Sequence, residues 1–144
     1  MPRLIVYGRS TPCPDMLRWE RWVRQHPLAY VELDIDADAD ARAFVVRWTG
    51  HESVPTLVIA PDDGHEPMDE PAPLAGRRAR GADRGSMLTE PSDGQVEAFL
   101  TRAGIPFGGP GGSDPSIVES TVTRSGRQRG SIGDTFRRLL GGAP

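Results

Sequence analysis

The chain has 144 residues, 37% hydrophobic and 26% charged, which suffices for one domain with its own core and little else. Its 17 cationic residues are all arginine and face 20 acidic ones, so the net charge of -3 gives no general reason to expect nucleic-acid binding. One cysteine, Cys13, excludes a disulfide scaffold and a cysteine-rich zinc site, and three histidines among scattered acids show no ligand spacing, so no metal is expected.

Leu4-Ile5-Val6-Tyr7 is a short apolar run closed by Gly8 and reads as a buried strand. It is far too short for a signal peptide or a membrane span, so a soluble, cytoplasmic protein with a reduced thiol is expected. After Arg9-Ser10-Thr11-Pro12, the stretch from Cys13 to His26 carries Met16, Trp19, Trp22, Val23 and His26 at helical spacing. Pro14 suits its first turn and Pro27 its end. Leu28 to Asp34 predicts a second strand. Ala41, Phe44, Val45 and Trp48 then mark an amphipathic helix, with Asp36, Asp38 and Asp40 at its start and Gly50 at its stop.

Val54 to Ala60 predicts a third strand and Met87-Leu88-Thr89 a short fourth. Ser92-Asp93-Gly94-Gln95 has the form of a capping box, followed by Val96, Phe99, Leu100 and Ala103 on one helix face. A βαβ start with a ββα finish implies one mixed sheet flanked by helices, occupying residues 1–104. Two segments fall outside that pattern. Residues 61–86 are rich in Pro, Gly, Asp and Arg, have no apolar period, and read as a flexible insert. Residues 105–144 form a low-complexity tail with five Arg and three acids, for which disorder is expected, apart from a short helix over 131–140 that would need a surface to dock on. That tail is a candidate segment for binding an unidentified protein partner.

The place of Cys13 matters more than its number. It stands where the first strand gives way to the first helix, beside free N–H groups that favour negative charge by roughly 0.3–2 kcal/mol. Such a position favours the thiolate, which is the nucleophile. A buried, inert thiol is the alternative, but Thr11-Pro12 and Pro14-Asp15 describe a surface turn.

These features resemble a glutaredoxin of the thioredoxin fold. Cys13-Pro14-Asp15-Met16 stands for the Cys-Pro-x-Cys motif of that family, and Ser53-Val54-Pro55 for its Thr-Val-Pro. Val31 to Asp36, Ala43-Phe44-Val45, Gly50 with Ser53 to Thr56, and Leu88 to Asp93 are similar to the mycoredoxins, actinobacterial analogues that use mycothiol. The resemblance spans residues 3–104 without the insert. It implies a thioredoxin-like α/β fold (βαβ–ββα) and a thiol–disulfide oxidoreductase acting on S-thiolated proteins. Nothing would be tightly bound, and mycothiol or glutathione would be the co-substrate.

On that resemblance Cys13 is the nucleophile and Val54–Pro55 a cis peptide that docks the small thiol. Thr11, Pro12 and Pro14, which flank Cys13, would also contact the small thiol, and Ser92 and Asp93 stand where the family holds its polar head. Arg9 and Arg47 are candidate anion contacts. Met16 replaces the resolving cysteine and implies a monothiol route. Two other classes remain open: a monothiol iron–sulfur cluster carrier, although the usual motif there is Cys-Gly-Phe-Ser, and a non-catalytic thioredoxin-fold interaction domain. A cysteine hydrolase is disfavoured, because none of His26, His51 and His65 falls where such a sheet would bring it to the first helix.

Overall fold

The structure, a computed structural model, describes residues 1–109. The chain runs β1 (Arg3–Gly8), α1 (Pro14–Gln25), β2 (Val31–Asp34), α2 (Ala39–Thr49), β3 (Thr56–Ala60), β4 (Met87–Thr89) and α3 (Asp93–Ala103). Both uninterrupted apolar runs became central strands, and β1 and β3 are buried along nearly their whole length, as strands covered on both faces must be. The sheet order is β2-β1-β3-β4. β1 and β2 are parallel, with Gly8 opposite Asp34, and the other pairs are antiparallel. This mixed βαβ–ββα sheet is the thioredoxin-like arrangement that the resemblance implies.

The helices bury the faces their spacing marks. Met16, Trp19, Trp22 and Val23 of α1, Ala41 and Val45 of α2, and Val96, Phe99 and Leu100 of α3 join one core with the strands. Helix ends follow local chemistry. Asp38 caps α2 through its carboxylate to the N–H groups of Asp40 and Ala41, and Gly50 closes that helix at φ 83°, a left-handed backbone where glycine has no Cβ penalty.

The structure differs from the sequence reading in two places. The insert 61–86 lacks an apolar period, yet it packs through polar groups. Arg84 is only 5% exposed and donates to the carbonyls of Ala72 (2.7 Å) and Trp48 (2.6 Å). Arg3 donates to the Gly64 carbonyl at 2.9 Å, and Arg102 meets Asp83 with two 2.9 Å bonds. Asp83 also bridges to Leu88, so the end of the insert lies along β4. Apolar periodicity cannot register packing made of carbonyls and guanidinium groups. Secondly, the packed chain runs past the expected boundary at 104. Ile105 is buried, the Phe107 ring lies 5.4 Å from that of Trp22, and the Gly108 N–H donates to the Pro27 carbonyl at 2.8 Å. The helix over 131–140 and the rest of the expected tail lie outside the described residues.

Candidate active site

The register gathers three chain segments at one end of the sheet. Tyr7 lies opposite Thr56, and Thr56 opposite Thr89, so β1 and β4 finish where β3 begins. From this end leave the loop to Cys13, the segment containing Val54–Pro55, and the turn Glu90-Pro91-Ser92. The Glu90 N–H donates to the Pro55 carbonyl at 2.8 Å and ties the last two together. The Val54–Pro55 peptide is cis. Val54 is 3% exposed, leaving little of its backbone open to the strand-like pairing that the resemblance implies.

Cys13 is the N-cap of α1, half-buried against the core, and its carbonyl accepts from the Leu17 N–H at 3.0 Å. Its sulfur makes no cap hydrogen bond, so the thiol is not used up in closing the helix. Pro14 occupies the first turn, and Thr11, Pro12 and Pro14 are exposed around the thiol's loop. The loop itself is held from the end of β2. Asp34 accepts from the Ser10 hydroxyl and, at 3.2 Å, from the Ser10 N–H. Asp36 accepts from the Thr11 N–H at 3.0 Å.

Arg9 completes that clamp, with 2.7 Å to Asp36 and 3.2 Å to Glu52. The hydrogen bond from Arg9, with the Thr11 N–H second, holds the Asp36 carboxyl down at about 2. Arg9 thus braces the loop from the surface through Asp36 and Glu52, at the position expected from the sequence to be an anion contact. Arg47 stands over the Trp48 ring, 4.9 Å from its centre, and no contact brings it to Cys13. Met16 is 2% exposed and lies over Gly8, so close that a Cβ there would stand 2.7 Å from its terminal methyl. The position at which the resemblance places a resolving cysteine is therefore filled by core packing.

Residues 4–64 match the family model for glutaredoxin. The match takes in β1 through β3, with Cys13, Met16 and the cis peptide, and it supports thiol–disulfide oxidoreductase chemistry in general. No curated protein and no solved structure matches the chain.

The groups that complete the sheet end lie beyond the glutaredoxin match. At α3, the Ser92 hydroxyl accepts from the Gln95 N–H at 3.2 Å while the Gln95 side chain accepts from the Ser92 N–H at 3.0 Å. This reciprocal box engages the Ser92 N–H and one acceptor site of its hydroxyl, and leaves exposed Asp93 beside it. Gln95 also donates to the Gly81 carbonyl at 2.8 Å, which seats the insert on the start of α3.

The insert also brings a group that sequence reasoning missed. Arg80 reaches Asp15, two residues from Cys13, with bonds of 2.6 and 2.9 Å, and comes within 3.6 Å of Glu90. Arg18 adds a 3.2 Å contact to Asp15 and donates to the Pro91 carbonyl at 3.4 Å. The Arg80 hydrogen bonds hold the Asp15 carboxyl below the usual carboxylate range, whereas burial, reinforced by Asp15, pushes Glu90 up. Among the described residues no group of three or more His, Cys, Asp or Glu could hold a metal, and no helix is long and apolar enough to cross a membrane.

Proposed function

We propose that the protein reduces mixed disulfides between proteins and a small thiol, using Cys13 as its single nucleophile. The Cys13 thiolate attacks the small-thiol sulfur of the mixed disulfide. The protein leaves as a thiolate that takes up a proton, and Cys13 now holds the small thiol as a disulfide. A second small thiol, as thiolate, attacks that sulfur, releases Cys13 and departs as the oxidised dimer. One free small thiol is therefore consumed for each protein thiol released, and its sulfur leaves joined to the one that came from the mixed disulfide. No second cysteine in the chain is required, consistent with a buried Met16 in the resolving position.

The observation that carries this reading is the half-buried, uncapped Cys13 sulfur at the first turn of α1, on the sheet end shared with the cis Val54–Pro55 peptide. Mycothiol is the small thiol we favour, on the likeness of Val31 to Asp36 and Leu88 to Asp93 to mycoredoxins, with glutathione as the competitor. Pro14 and the exposed start of α3 at Asp93 are the surfaces offered to it, beside the buried cis Val54–Pro55 peptide, and S-thiolated proteins of a reducing cytoplasm are its substrates. Incubating the protein with oxidised mycothiol and oxidised glutathione in competition, and reading the adduct on Cys13 by mass spectrometry, tests the choice. A mycothiol adduct that forms first and is released by free mycothiol supports it; preferential glutathione loading and release assigns the co-substrate to glutathione.

A further inference from the structure

Asp15 puts a carboxylate in the first turn of α1, one residue beyond Pro14, where it opposes charge building up on Cys13. Glu90 faces the same place from the turn after β4, and the two carboxyls interact. Uncompensated, this pair would cancel much of the helix terminus's attraction for a thiolate. The compensation comes from far along the chain. Arg80 clamps both Asp15 oxygens and lies within 3.6 Å of Glu90, while Arg18 supplies a second, weaker contact from within α1. Arg80 is half-exposed, but its segment is fixed: Gly81 donates to the Thr89 carbonyl at 2.7 Å and accepts from Gln95, and Ala79 and Ala82 are buried.

We infer that Arg80 is a positioning residue for the thiol chemistry, delivered by the insert to neutralise Asp15 and Glu90 and so keep the α1 terminus favourable to the Cys13 thiolate. This rests on Cys13 being the nucleophile. It makes the insert part of the site rather than a decoration between β3 and β4. The other charged groups of this sheet end do not substitute for Arg80. Arg9 is spent on Asp36 and Glu52, and the charge interaction of His51 with Glu90 is weaker than that of Arg80.

The test is the second-order rate of Cys13 alkylation by iodoacetamide, a neutral probe, at pH 6.5 and low salt, in wild type, R80Q, R80K, D15N and the D15N/R80Q double variant. R80Q should react about threefold more slowly, because the loss of thiolate is only partly offset by the greater nucleophilicity of a more basic sulfur. The double variant should return to within about twofold of wild type, R80K should stay near wild type, and the R80Q deficit should shrink in 1 M salt, where charges are screened beyond about 3 Å. A merely structural role for Arg80 would not be rescued by removing the Asp15 charge. R80Q reacting like wild type, or slowed without rescue by D15N, overturns the inference. A wild-type rate no higher than that of free cysteine overturns the nucleophile reading instead, and the ratios between variants still report on Arg80.

Discussion

Asp34 and Asp36, at the end of β2, fix the loop that presents Cys13, the first through Ser10 and the second through Thr11 and Arg9. A carboxyl held down at about 2 by these donors stabilises the fold wherever it is ionised in both the folded and unfolded chain. That contribution is present above the ordinary value of 3.8 and lost as pH falls from there towards about 2. Asp36→Asn should therefore lower Tm at pH 7, and the gap from wild type should close across that acid window; a gap that persists at pH 2 contradicts the assignment. Met16 presents the complementary case. Its side chain is fully buried over Gly8, so Met16→Ala should cost about 2–5 kcal/mol in a denaturant titration while leaving Cys13 reactive. Loss of thiol exchange in a folded Met16→Ala protein would give Met16 a chemical role.

The helices and strands were legible because each is written in apolar spacing and in end signals that act locally. Trp19, Trp22 and Val23 mark α1, and the Ser92–Gln95 box marks α3 before any contact is known. The insert was not legible in this way. Its anchors are Arg84 on the Trp48 carbonyl, 36 residues away, and Arg80 on Asp15, 65 residues away, and such pairings leave no spacing in the sequence. Two measurements separate these kinds of support. Ser92→Ala should cost about 1 kcal/mol through the lost cap, with little change in KM for the small thiol, because the hydroxyl serves Gln95. A large rise in KM would instead give Ser92 a binding role. Arg84→Met should cost roughly 2–3 kcal/mol, since it leaves the Ala72 and Trp48 carbonyls without their charged donor, and should speed proteolytic cleavage within 61–86. Unchanged cleavage would show that Arg84 does not anchor the insert.

At the scale of the whole molecule, the sheet register turns separate sequence features into one site. Antiparallel pairing of β1 with β3 and of β3 with β4 brings the Cys13 loop, Val54–Pro55 and Glu90 to one end, where Asp34 at the end of β2 and Asp36 just beyond it hold the loop. The placement of Cys13, Pro14 and Pro55 could be read in advance because each is local in sequence to the element it begins. The charges that tune it could not, since Arg9, Asp36, Glu52, Asp15, Arg80 and Glu90 meet only through the fold. In the proposed reaction one sulfur, that of Cys13, carries every step. The most direct measurement compares wild type and Cys13→Ser in turnover of a defined protein–mycothiol mixed disulfide with excess free mycothiol. Wild type should release the protein thiol catalytically and Cys13→Ser should fall to the uncatalysed rate; a serine variant that still turns over at the wild-type rate contradicts the account.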